Sequence, residues 1–252
     1  KLAVPLVVAS FLAGRPLPPG PLAILGALAL LLVPAGLIVI QPDLGTSLLI
    51  AASGLFVLFM AGIGWRCIVG ALLLALASAW PVWNYGLKGY QKQRILTMFD
   101  PDSDKLGAGW NIIQSKTAIG SGGWQGKGWL QSTQSRLDFL PESHTDFVIA
   151  VLAEEQGLRG IVLLLAIYLL ILLRGFWIGI RAQTSFGRMM AGSLTLTFFV
   201  YIFVNMGMVA GLLPVVGVPL PLVSAGGTSV VTLLAGFGIL MAISTAKQRV
   251  TT

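Results

Sequence analysis

Apolar and polar residues fall in long separate blocks along this chain. Apolar runs at Leu22–Ile40, Leu44–Gly64, Cys67–Leu87, Met190–Leu213 and Ala225–Ala246 are each long enough to cross a hydrocarbon core, which takes about 20 residues of helix. A sixth run, Phe147–Leu173, is longer and carries Glu154, Glu155 and Arg159. The opening "KLAVPLVVASFLAG" offers only about a dozen apolar residues, too few to span, and has no initiating methionine. It reads as a fragment that starts at or inside a membrane helix, without a signal peptide and with earlier helices missing. The expected fold is an all-α, polytopic membrane helical bundle. Residues 1–252 form one domain in this reading, with six full spans, a partial first one and a long extracytoplasmic loop at 88–145.

Composition agrees. Only 10% of the residues are charged, where soluble domains carry about 25%, and the mean hydropathy is +0.89. A net charge of +7 would suggest nucleic acid in a soluble protein. In a membrane protein, basic residues report topology first, so no nucleic-acid partner is expected. The single cysteine, Cys67, and single histidine, His144, exclude an internal disulfide and a zinc site.

Basic residues fall at alternate connections: Arg15, then Arg66, then Arg174, Arg181 and Arg188, then Lys247 and Arg249. The short connections between them, "QPD" at 41–43 and "PVVGVPLPLVS" at 214–224, contain no Lys or Arg. The positive-inside rule places the basic set in the cytoplasm and the others outside. The 88–145 segment then faces the exterior.

A loop of that length is uncommon unless functional or disordered. Segment 106–119, "LGAGWNIIQSKTAI", sets Trp110, Ile113 and Thr117 at helical spacing with Asn111, Gln114, Ser115 and Lys116 on other faces. This predicts an amphipathic helix at the membrane surface; a surface helix without a role is the alternative. "GSGGWQGKGW" holds five glycines within 120–128, Gly123 among them, together with Lys127. Exposed amides plus a lysine can cradle phosphate, but the spacing fails the Walker pattern, and a plain turn is an equal reading. "DPDSD" at 100–104 lacks the downstream glycine and glutamate of a calcium loop and reads as a capping turn.

"LPESHTDFVIA" at 140–150 gathers Glu142, His144 and Asp146 at the threshold of the sixth apolar run. Taken as one helix from 145 to 173 with Thr145 near its N-cap, this run puts Asp146, Ala150, Ala153 and Gly157 on one face, with Glu154 about 80° away. Small residues there either pack closely on another helix or leave room for substrate. Glu155 and Arg159 stand four apart in the order that favours an ion pair. Glu154 is open to either a structural or a functional role. Asp146 has three readings: a first-turn acid favoured by the helix dipole, a proton-relay or transport residue, or a general base. Asn205, inside a span, is read as packing.

Four stretches together resemble a known family: "QPDLGTS" (41–47), "GAGWNIIQSKTAIGSGGWQGKGW" (107–129), "STQSRLDFLPESHTDFVIAVLAEEQGLRG" (132–160) and "LPVVGVPLPLVSAGG" (213–227). The chain resembles the SEDS family (shape, elongation, division and sporulation), nearest its elongation branch, over essentially its whole length. The resemblance implies ten membrane helices, of which this chain corresponds to the fourth through the tenth. It also implies a peptidoglycan glycosyltransferase of the bacterial cytoplasmic membrane that polymerises lipid II on the outer face. Asp146 matches the family's catalytic aspartate, which favours the general-base reading.

The implied reaction is attack of an acceptor 4-hydroxyl on the donor's anomeric carbon, with undecaprenyl pyrophosphate leaving and the configuration inverted. A base takes the hydroxyl proton, and cations or amides offset the pyrophosphate charge. Lys1, Gln114, Ser115, Gly123, Lys127, Glu142, His144 and Glu154 are the substrate-binding candidates, with a divalent cation such as Mg or Mn as a further expectation and no dedicated metal site. Implied partners are undecaprenyl-pyrophosphate-linked glycan, a class B penicillin-binding protein (a transpeptidase docking on the spans at 147–173 and 190–213) and the elongation machinery. A lipid II flippase and a non-catalytic scaffold are the rival readings. In-span charges confined to 154–159 argue against the flippase, which should carry ionisable groups through the membrane depth.

Overall fold

The computed structural model describes residues 1–41, 43–104, 107–136, 139–140 and 142–246. Pro42 and Leu106 of the stretches above, and the basic residues Lys247 and Arg249, lie outside them. The regular elements among the described residues are all helices: α1 Ala3–Ala13, α2 Pro21–Ile40, α3 Leu44–Met60, α4 Trp65–Pro81 with a π-helical extension Val82–Gly86, α5 Gly89–Phe99, α6 Ala108–Gly122, α7 Thr133–Arg136, α8 Val148–Arg181, α9 Ser185–Val209 and α10 Gly227–Thr245. A short 3₁₀ turn, Pro101–Asp104, stands where the capping turn was expected.

Five of these helices are long and apolar enough to cross a membrane: α2, α4 with its extension, α8, α9 and α10. The span expected over Leu44–Gly64 is shorter than the apolar run suggests. Helix α3 has 17 residues and ends at Met60, because Gly62 takes φ +84 and turns the chain out. Helix α8 runs the other way, through Arg174 to Arg181. Both arginines had been placed in the connection, but arginine is a good helix former whose head reaches polar surroundings from inside a helix.

The chain divides into two compact units. One comprises Lys1–Trp65, Tyr168–Tyr201 and Gly227–Thr252, the other Arg66–Ile167 and Ile202–Gly226. In the first, Val8, Ala9, Leu12, Ala27, Val57 and Leu58 form a core with Met189 and Met190 of α9. The hydroxyl of Ser193 donates to the Ser53 carbonyl at 2.7 Å across that core. Small residues let the helices approach: a Cβ at Gly54 would meet Leu31, and one at Gly192 would overlap Met60.

The second unit is built around a break in α8. Gly157 has φ 68 and ψ −166, so the helix is interrupted between Gln156 and Leu158. The glycine-rich stretch after α6 fills the gap. Lys127 and Gly128 donate their N–H groups to the carbonyls of Glu154 and Glu155, and Leu158 donates to the Gly123 carbonyl, each at 2.9 Å. The backbones touch: a Cβ on Gly122 would overlap the Ala153 carbonyl, and one on Gly126 the Glu155 carbonyl. Two earlier expectations fall here. The run 145–173 is not a single helix, and Glu155 and Arg159 form no ion pair, since Gly157 between them destroys the four-residue geometry. The glycines are required by backbone packing.

The amphipathic helix expected at 106–119 exists as α6, but its buried face is Ile112, Ser115, Ala118 and Gly122 rather than Trp110, Ile113 and Thr117. Ser115 donates its hydroxyl to the Val209 carbonyl of α9 at 2.8 Å. Gly126 adopts φ +78 against backbone, so Gly126→Ala should lower the thermal midpoint in detergent well beyond the ~1 kcal/mol of an ordinary glycine-to-alanine change. Gly120→Ala, where an added Cβ meets nothing, should leave the midpoint in place; equal midpoints for the two variants would contradict this packing.

Candidate active site

The site is assembled at the turn preceding α8. Thr145 and Phe147 donate their N–H groups to the Glu142 carbonyl at 3.0 and 3.3 Å, closing residues 142–147 into a tight turn. Glu142 is in the left-handed region at φ 56, a conformation that side-chain-bearing residues adopt rarely and that tends to occur at functional sites. The turn brings the Glu142 side chain onto Asp146. His144, also on the turn, is exposed.

Three successive carbonyls of the turn are each held by a donor from the later part of the chain. Ala225 donates its N–H to the His144 carbonyl at 2.9 Å. The Ser224 hydroxyl donates to the Thr145 carbonyl while accepting the Leu220 N–H at 2.8 Å. The Asn205 amide donates to the Asp146 carbonyl at 2.9 Å and to the Val218 carbonyl at 2.7 Å. The Asp146 backbone is therefore clamped, and its carboxylate comes to rest over Gly217, where a Cβ would stand 3.4 Å from Oδ2. Gly217 itself has φ 73, so the loop uses its glycine both for the turn and for the approach.

Asp146 is only 8% exposed. Burial, then the neighbouring Glu142 charge and the hydrogen bond between the two carboxyls, push its pKa up from 3.8 to about 6. Among the described residues no backbone N–H of α8 donates to this carboxylate, which is what a first-turn capping acid requires. The helix itself begins at Val148, two residues beyond Asp146. The aspartate thus sits in a desolvated, pre-oriented place and does no capping.

Glu154 has a different character. It is fully buried and accepts from Lys127 Nζ at 2.6 Å, Ser132 Oγ at 2.5 Å, and the Thr133 hydroxyl and N–H at 2.7 and 3.1 Å. The Gln134 N–H at 3.3 Å and Ser121 Oγ at 3.4 Å complete the shell. Lys127, considered above for a phosphate, is ion-paired here. Gly123 serves the helix break through its carbonyl, and Ser115 is buried and bonded within the fold. Gln114 is half-buried on α6. Lys1 belongs to the other unit, with its ammonium over the Tyr201 ring at 5.5 Å. Of the candidates, then, the structure groups Glu142, His144 and Asp146 on one turn, and Lys127 with Glu154 in a separate cluster. No group of three or more His, Cys, Asp or Glu that could hold a metal occurs among the described residues.

Sequence reasoning passed over Asn205, Ser224 and Gly217. Asn205 left a signal: a fully buried amide inside a 25-residue apolar helix carries a desolvation cost that packing alone does not explain.

These features define a polytopic α-helical membrane protein with a buried carboxyl of raised pKa at a helix threshold. The chain belongs to the family described as Cell cycle protein (FTSW_RODA_SPOVE), which matches residues 1–249. It is 58% identical over 248 residues to the peptidoglycan glycosyltransferase MrdB of Escherichia coli K12, covering 98% of this chain and 67% of that protein. A probable peptidoglycan glycosyltransferase FtsW of Trichlorobacter lovleyi is 37% identical over 217 residues, with 86% and 56% covered. Among solved structures, one described as a peptidoglycan synthase complex coordinating polymerization and crosslinking superposes with a TM-score of 0.80 at 33% identity, covering 96% of this chain and 67% of that one. The rod shape determining protein RodA of Thermus thermophilus gives a TM-score of 0.65 at 28% identity, with 99% and 64% covered.

Asn205→Leu keeps the volume and removes both amide bonds. It should cost about 1–3 kcal/mol for each carbonyl left unpartnered, seen as a lower thermal midpoint in detergent. A midpoint unchanged from the wild type would mean that the amide does not hold the turn.

Proposed function

We propose that this chain is a peptidoglycan glycosyltransferase that polymerises lipid II into glycan strands, with Asp146 as the general base. The observation that carries the proposal is the state of the Asp146 carboxyl: buried, raised to about 6, fixed through its backbone and free of any capping bond. A base is most effective when its pKa lies near the working pH. Above about pH 6 the carboxylate is ionised and can take the proton from the acceptor 4-hydroxyl as that oxygen attacks the donor's anomeric carbon. Undecaprenyl pyrophosphate leaves from the opposite face, which gives inversion.

Lys127 is withdrawn from the role of pyrophosphate cation, since Glu154 engages it. A divalent cation, Mg or Mn, fits the remaining chemistry. Such ions are often held largely by substrate phosphate oxygens and water, and the Glu142–Asp146 pair is not assigned to one, since a bound cation would undo the raised proton affinity of Asp146.

The proposed setting is the bacterial cytoplasmic membrane, with the 142–147 turn on the outer face. Support comes from the alternation of basic and non-basic connections. The proposed partners are lipid-linked glycan and a class B penicillin-binding protein of the elongation machinery. Within the first unit, Leu169 of α8 and Phe199 of α9 are exposed and apolar, as residues on a docking surface for a membrane helix would be. The flippase reading weakens, because Glu154, a carboxylate within a span, is locked in a static shell of donors.

Asp146→Asn tests the assignment with two readouts. Turnover of labelled lipid II by the full-length protein should fall about a hundredfold or more, with lipid II still bound. Stability should move the opposite way. A raised carboxyl pKa gives stabilisation that is complete below the ordinary value of 3.8 and is lost as pH rises through about 6. At pH 8 the wild type thus carries a desolvated charge that asparagine lacks, and the variant's thermal midpoint should be equal or higher. A lower midpoint with near-normal turnover would mean a capping acid.

A further inference from the structure

The first unit has an imbalance of charge that the glycosyltransferase reading does not use. After Glu155 the remaining 97 residues contain no Asp or Glu, while Arg159, Arg174, Arg181, Arg188, Lys247 and Arg249 are all basic. Within this unit the one carboxylate side chain is Asp43, and it accepts the Thr46 N–H at 3.0 Å to cap α3. Two cations of this unit have an evident setting: Arg15 stacks on Phe11 at 3.7 Å and Arg181 on Trp177 at 4.3 Å. Arg174 does not. Among the described residues it makes no ion pair, hydrogen bond or ring contact.

Arg174 borders a groove of about 500 Å³ between α8 and α10, whose walls are Leu170, Ile171, Phe237, Leu240 and Met241. Ile178 and Leu240, packed on Ala191, form part of its floor. From Leu158, where α8 resumes after its break, Arg174 lies 16 residues on, roughly 24 Å at 1.5 Å per residue. That is still inside a hydrocarbon layer about 30 Å thick, close enough to its edge for the guanidinium to reach headgroups. The groove therefore joins an acyl-sized apolar trough to a cation that pairs with no carboxylate among the described residues.

We propose that this groove binds an anionic glycerophospholipid of the leaflet into which α8 ends. Its phosphodiester pairs with Arg174 and one acyl chain lies along the α8–α10 trough. The lipid supplies a counter-charge that Arg174 does not find among the described residues, and a guanidinium pairs well with phosphate oxygens because its fork presents two parallel donors. The site lies wholly within one unit and is independent of Asp146.

Native mass spectrometry of the purified full-length protein, titrated with dioleoylphosphatidylglycerol or dioleoylphosphatidylcholine, tests it. The wild type should retain one phosphatidylglycerol in preference to phosphatidylcholine. Arg174→Gln should weaken phosphatidylglycerol about fivefold and abolish the preference. Met241→Trp, which narrows the trough at an exposed position and leaves Arg174 in place, should weaken both lipids. Arg181→Gln should bind like the wild type. Equal retention of the two lipids by the wild type, or unchanged retention by Arg174→Gln, would overturn the proposal. So would the absence of any retained lipid, which would leave the groove to a protein helix. Thermal midpoints of the variants separate loss of the lipid from loss of the fold.

Discussion

The second unit depends on one buried carboxylate whose hydrogen-bond partners among the described residues all belong to the fold. Glu154 is fully buried in a helix that crosses the membrane, where an unpaired charge is prohibitively expensive. It is tolerated because Lys127, Ser132, Thr133, Gln134 and Ser121 surround it with donors. Satisfying that charge forces the segment after α6 to fold back onto α8, and there the backbones interpenetrate at the Gly157 break. Removing the carboxylate would leave Lys127 partly buried without its partner, and removing a glycine would push the two backbones apart. The hub and the glycines are two halves of one constraint.

Asp146 is held by a separate device of the same kind. Its neighbours along the chain have their carbonyls fixed by Asn205, Ser224 and Ala225, so the side chain is aimed by backbone rather than by contacts of its own. That leaves the carboxylate unburdened. Among the described residues its one ionisable contact is Glu142, which raises its proton affinity where a cation would have lowered it. Two acids eight residues apart thus take opposite roles because one is surrounded by donors and the other is not.

Much of this was legible in the sequence. Block hydropathy located α2, α4 and α10 to within a few residues, since an apolar run of this length has no stable place except in a membrane, but it missed the shortness of α3 and the extension of α8 to Arg181. The gathering of Glu142, His144 and Asp146 in sequence is matched by a single turn that carries all three. What the sequence could not convey was which donors face which acceptors across long separations. Lys127 looked like a phosphate ligand until Glu154 was found 2.6 Å from it, 27 residues further on. Glu155 and Arg159 looked paired because a regular helix was assumed, and the φ of Gly157 is set by tertiary packing. Asn205 was mistaken for packing because its two acceptors come from turns that no periodicity reveals.

The central claim, that Asp146 is a base tuned by its neighbour, is most directly tested by the pH dependence of kcat for lipid II polymerisation. The full-length protein should show an ascending limb with a midpoint near 6, where the Asp146 carboxyl is placed. Glu142→Gln, which removes the adjacent negative charge, should move that midpoint toward lower pH while the limb keeps its slope. A midpoint that stays in place when Glu142 is neutralised, or a rate that is flat from pH 5 to 8 in the wild type, would contradict the account.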